Sequence, residues 1–163
     1  MNQNPTRRTL LAAAGGASTV LIAGCSGGGN GDDEPTGNGD DAPPEERART
    51  YLDEQDTGGW DGDIVDETGQ DEIVIANGAG PNGFQFDPPG VRVDAGTTVI
   101  WEWTGQGGGH NVTSEGGSDF DFESERTDEE GFVFEQTFEE DGAALYVCSA
   151  HRAQAQYGAV IVE

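Results

Sequence analysis

The chain has 163 residues, of which 33% are apolar. It carries 32 acidic residues against 7 arginines, no lysine, and a net charge of −25. A surface of that sign repels phosphate, which argues against nucleic acid and anionic lipid headgroups as partners. The acidic residues also run between apolar ones through the β-rich half, which disorder does not explain. They read as the solvated surface of a halophilic protein, since molar salt shrinks the screening length to roughly 3 Å.

The N-terminus reads as an address. Arg7 and Arg8 precede an apolar and small-residue run, Leu10 to Ala23, too short for a comfortable transmembrane helix. The twin arginines suggest export in the folded state, with a departure from the usual pattern at Leu11. The run closes in Ile22-Ala23-Gly24-Cys25, which is similar to a lipobox. We therefore expect residues 1–24 to be a signal peptide and Cys25 to carry the lipid. The only other cysteine, Cys148, then lacks a disulfide partner outside the cytosol, where a bound metal would protect its thiol.

Residues 25–46 are rich in Gly, Asp, Asn and Pro and predict a flexible acidic linker. Residues 47–70 form an extension expected to pack on the domain. The stretch "PPEERARTYLDEQD", which runs from the end of the linker into the extension, has early acids and later arginines and predicts a short helix with Tyr51 and Leu52 inward.

From Asp71 to Glu163 the period becomes two. "DEIVIA" opens a strand. "GVRVDAGTTVIWEWTG" holds two strand pieces about an Asp94-Ala95-Gly96 turn, with Val99, Trp101 and Trp103 on one face. "GFVFEQTF", "GAALYVC" and "YGAVIVE" follow. Short strands with glycine turns predict an all-β, antiparallel β-sandwich.

Both histidines and the remaining cysteine stand in notable places. His110 follows "GQGGG"; His151 lies three residues past Cys148, between the last two strands. Two imidazoles and a thiolate form the trigonal set of a blue-copper site. A lone Cys-x-x-His is weak by itself, and Asn111-Val112-Thr113 also fits a glycosylation sequon. Structural zinc prefers four protein ligands, and only three strong ones are present.

The stretches "FDPPGVRVDAGTTVIWEWTGQGGGHNV" and "YVCSAHRAQAQYGAVIVE" resemble the halocyanins, membrane-linked, plastocyanin-like blue copper proteins of haloarchaea. The similarity begins near Tyr51. It implies an eight-stranded cupredoxin sandwich of Greek-key type, one copper ion, and an electron-carrier role. By position, its ligands fall on His110, Cys148 and His151. It further implies that Asn111 steadies the ligand loops and hydrogen-bonds the Cys148 sulfur, leaving the sequon inert. The family's axial Met falls on Gln156, and its usual Pro before the second His is Ala150. An amide oxygen there implies a copper site of lowered potential. The alternatives are that Gln156 faces solvent, or that the domain has lost copper.

The expected function is a lipid-anchored, monomeric carrier on the outer face of the cell membrane, passing single electrons between membrane or extracytoplasmic redox proteins. His151 is the expected electron port, amid Gly109, Ala150 and Ala153, with Arg152 placed to steer an acidic partner. An oxidase or nitrite-reducing enzyme would need a further metal or acid–base groups; no spare His and no paired carboxylates are evident. A copper storage or chaperone protein would carry Met-, Cys- or His-rich tracts, which are absent.

Overall fold

The computed structural model describes residues 42–163. The segment expected to be a signal peptide, the cysteine expected to carry a lipid, Cys25, and the linker up to residue 41 lie outside the described residues. Among those described, no helix is long and apolar enough to cross a membrane.

The chain opens with helix α1, Pro44–Glu54, then runs through β1 (Val65–Asp66), β2 (Glu72–Ala79), β3 (Gln85–Asp87), β4 (Gly90–Val93), β5 (Thr98–Trp103), β6 (Thr113–Ser114), β7 (Val133–Thr137), β8 (Gly142–Val147) and β9 (Tyr157–Val162). They form two sheets, of order β1-β4-β9-β8-β6 and β3-β2-β5-β7. The sandwich and the short helix match the expectation. The pairing is mixed rather than wholly antiparallel: β1 with β4, β2 with β5, and β4 with β9 run parallel. Composition and alternation specify that a segment is a strand, not the direction of its neighbour. Nine strands rather than eight appear among the described residues, β1 coming from the extension.

The core between the sheets is aromatic. Val99, Trp101 and Trp103 project inward from β5 and are fully or almost fully buried. Trp101 meets Tyr146 edge-on, with centroids 5.2 Å apart, and stacks near Phe122 at 5.7 Å. Such pairs add about 0.5–1.5 kcal/mol each beyond their buried area.

Strands β8 and β9 are buried at every position. One face, with Ala144, Tyr146, Val160 and Val162, joins the main core. The other, with Ala143, Leu145, Ala159 and Ile161, packs under Ala48 and Leu52 of α1. The helix therefore gives the five-stranded sheet a second apolar layer, which is why these strands read as continuous apolar runs.

The helix begins at Pro44, so the last residues assigned to the linker are helical. Proline suits the first turn because that N–H lacks an intrahelical partner. Leu52 faces inward as expected, while Tyr51 is half-buried and donates its hydroxyl to the Tyr146 carbonyl at 3.0 Å. Arg47 pairs with Asp119, and Glu45 accepts from both Arg49 and Arg92. After the helix, the Gly58 N–H reaches the Ala155 carbonyl at 2.9 Å. The extension thus touches both ends of the loop between β8 and β9.

Candidate metal centre

Two loops at one end of the sandwich carry the candidate ligands. The first leaves β5 and delivers His110, whose backbone pairs with Thr127 through N–H···O bonds of 2.9 and 3.0 Å. The Trp103 indole N–H donates to both carbonyls, of His110 and Thr127. The second loop joins β8 to β9. Their antiparallel register ends at Val147 opposite Tyr157, so Cys148 and Gln156 come next and face each other; the Cys148 N–H donates to the Gln156 carbonyl at 3.0 Å. Between them a 3-10 turn, Ser149–Gln154, folds His151 back. Ala155 closes it in the left-handed region at φ 58°.

Four electron-pair donors converge there. His110 Nδ1 lies 2.9 Å from Gln156 Oε1, 3.1 Å from His151 Nδ1 and 3.8 Å from Cys148 Sγ. His151 Nδ1 lies 3.3 Å from the same sulfur and 3.2 Å from the same amide oxygen. The structure thus brings together all four residues that the sequence nominated. Gln156 is fully buried and does not face solvent.

The surroundings fix these atoms. His110 Nε2 is 2.7 Å from the Gln106 carbonyl, which can only accept, so in the neutral ring Nε2 carries the proton and Nδ1 presents its lone pair. Gly78 and Gly107 make that approach possible. A Cβ on Gly107 would lie 2.0 Å from the Gly83 carbonyl oxygen and 3.0 Å from His110 Nε2.

Asn111 is buried, and its Oδ1 accepts from both the N–H and the hydroxyl of Ser149 at 2.9 Å. It ties the first ligand loop to the residue after Cys148. The side-chain amide donates to Thr113, not to the sulfur.

Electrostatics follow from these contacts. Burial pushes the Cys148 thiol up, but hydrogen bonding with His110, assisted by the backbone at Asn111 and Ala150, outweighs it, and its pKa is lowered. Burial pushes His110 down, yet its bonds to Cys148 and Gln106 leave it raised. His151 is lowered, by burial and then by the charge of His110.

Ala150 and Ala153 are exposed beside half-buried His151, and Gly109 is half-buried. Arg152 corrects an expectation. Both of its terminal nitrogens engage the Glu115 carboxylate, so its charge is neutralised locally rather than free to steer a partner. Reading the sequence alone missed Phe84, whose ring lies 4.8 Å from that of His151. It also missed Asn77, which accepts from Gln156 Nε2 at 2.8 Å. Asn77 had a signal: it continues the inward period of Ile73 and Ile75, where a polar residue is out of place. Phe84, in a glycine-rich loop, had none.

A soft thiolate, two imidazoles and one amide oxygen match the donor preferences of copper, and the atoms of His110, Cys148 and His151 lie within 4.8 Å of one another. The sequence profile of the copper binding proteins of the plastocyanin/azurin family matches residues 73–163. The chain belongs to that family. Its cofactor is copper, and the three nominated strong ligands fit it.

Among cupredoxin relatives, the chain is 67% identical to a halocyanin of Natronomonas pharaonis over 120 residues, 74% of each chain. It is 25% identical to a Met-to-Gln variant of amicyanin solved with Cu(I), covering 60% of this chain and 87% of that one at a TM-score of 0.48. It is 20% identical to the copper-containing nitrite reductase of Thermus scotoductus, covering 56% of this chain but 22% of that one, at a TM-score of 0.47.

Proposed function

We propose that this protein is a blue copper carrier of single electrons, with copper held by His110, Cys148 and His151 and with the Gln156 amide oxygen as weak axial ligand. The observation that carries the reading is the convergence of four lone-pair donors, with the Nε2–H of His110 committed elsewhere. Donors at such separations repel unless a cation or a shared proton lies among them.

Copper supplies a one-electron couple when bound. The residues of the chain hold the ligands in one arrangement for both oxidation states: Gln106 fixes the His110 ring, and Asn111 joins the two ligand loops. A cage that barely moves keeps the reorganisation accompanying electron transfer small. An amide oxygen is harder than a thioether and favours Cu(II), which lowers the potential relative to a Met ligand. His151 is the proposed electron port, because it is the ligand with partial exposure and is flanked by Phe84, Ala150 and Ala153.

The lipobox-like ending at Cys25 and the acidic linker support a lipid-anchored protein on the extracytoplasmic face of a haloarchaeal membrane. Its partners on this reading are membrane or extracytoplasmic electron-transfer proteins. Titration of the purified protein with copper, followed by visible absorption and EPR, tests the assignment. A strong thiolate-to-Cu(II) band is expected in the native protein and absent in Cys148→Ser; a native protein without the band would overturn it. Reversible one-electron voltammetry separates a carrier from a storage protein. Gln156→Met is expected to raise the potential, and an unchanged potential would exclude axial coordination.

A further inference from the structure

Asn77 is a polar side chain on an apolar period. β2 turns Ile73 and Ile75 into the core, and Asn77 continues that face, fully buried. It stands at a bulge: the register to β3 shifts between Asn77 and Ala79, and Gly78 has φ +88°. Bulges re-aim the side chains beside them. Here the side chain meets another fully buried amide, and Asn77 Oδ1 accepts from Gln156 Nε2 at 2.8 Å.

A carboxamide carries its donor and acceptor at opposite ends of one rigid plane. With Nε2 held by Asn77, Oε1 faces the Nδ1 atoms of His110 and His151, 2.9 and 3.2 Å away. The final torsion of Gln is broad and nearly two-fold, so the side chain does not choose its own end. The end is chosen by its partner. Asn77 Nδ2 has no other hydrogen-bond partner, so the two amides are joined by this single N–H···O bond and orient as one unit. A reversed amide would turn an NH2 group, which offers no lone pair, toward the ligand atoms.

We propose that Asn77 is the positioning residue of the copper centre: by accepting from Gln156 Nε2 it presents the amide oxygen, rather than the NH2, to the metal. The proposal rests on the axial reading above. Four copper-loaded proteins test it: native, Asn77→Leu, Gln156→Met and the double variant. In the native background Asn77→Leu is expected to weaken Cu(II) affinity about 10–100-fold, the usual size for losing a group that orients a ligand. It also raises the potential and changes the EPR hyperfine pattern, while Asn77→Asp, which keeps an acceptor, retains that pattern. In the Gln156→Met background Asn77→Leu changes neither potential nor EPR, because a thioether has no N–H to orient.

No shift in the native background, or an equal shift in both, overturns the proposal. If Gln156→Met by itself leaves potential and EPR unchanged, the axial reading fails and this proposal with it. Should Asn77→Leu not fold, 15N NMR of the native Cu(I) protein decides. A coupling across the bond from Gln156 Nε2–H to the Asn77 side-chain carbonyl is expected; NOEs from that NH2 to the two imidazole rings would overturn the assignment.

Discussion

Replacing Gly78 with alanine probes how tightly the backbone is fitted around the first ligand. Gly78 has φ +88°, a conformation that costs an L residue roughly 1–2 kcal/mol. The new Cβ would also lie 2.8 Å from the Gln106 carbonyl oxygen, 2.9 Å from Thr104 Oγ1 and 3.1 Å from His110 Nε2. Neither oxygen can yield freely. The Gln106 carbonyl is backbone and holds the His110 ring at 2.7 Å, and the Thr104 hydroxyl donates to the carbonyl of Gly78 itself at 2.6 Å. Overpacking of this kind adds about 1–3 kcal/mol, for a total of about 2–5 kcal/mol. Gly62 is the control, with φ +95° and nothing within 4 Å of an added Cβ, so Gly62→Ala carries the backbone component alone. Thermal unfolding of the metal-free proteins at one fixed salt concentration should place Gly78→Ala below Gly62→Ala. At roughly 2–8 °C per kcal/mol, the gap is at least about 2 °C. Copper titration should show Cu(II) binding weakened about tenfold in Gly78→Ala only, because the group orienting His110 has moved. Equal melting temperatures, with copper affinity unchanged in Gly78→Ala, would refute the argument.

Leu52→Ala removes a fully buried side chain from beneath α1 and should lower stability by about 2–5 kcal/mol, read by thermal unfolding against the exposed control Glu46→Ala. Equal melting temperatures would mean that the helix is not packed on β8 and β9. The Arg47 guanidinium, hydrogen-bonded to Asp119, holds that carboxyl below its ordinary value, with the Ala143 N–H assisting. A depressed folded pKa stabilises above the unfolded value of about 4, and that contribution is lost as pH falls through the folded one. The stability gap between the native protein and Asp119→Asn should therefore be widest near neutral pH and close below about pH 4. A gap that stays constant from pH 3 to 7 would exclude this ion pair as its source.

The strands and the three candidate strong ligands were legible because their signals are local. Inward alternation in β5 marks Trp101 and Trp103, and the Cys148-to-His151 spacing belongs to one tight turn. Strand direction was not legible, since parallel and antiparallel neighbours place the same alternation on the same face. Nor was the fate of Arg152: its partner Glu115 lies 37 positions away in sequence, and only folding sets the two side by side.

The sequence by itself determined the donor atoms. No other His or Cys is available to the domain once Cys25 is set aside, and hydrophobic periodicity put the strands around them. Tertiary structure decided how those atoms point. Asn77 and Asn111 act through hydrogen bonds between segments 79 and 38 positions apart, whereas Gln106, four residues before His110, acts through its backbone carbonyl, which any residue would supply. Whether Gln156 offers oxygen or nitrogen to a cation depends on the far end of its amide. The sequence names the amide; the fold supplies the partner that turns it.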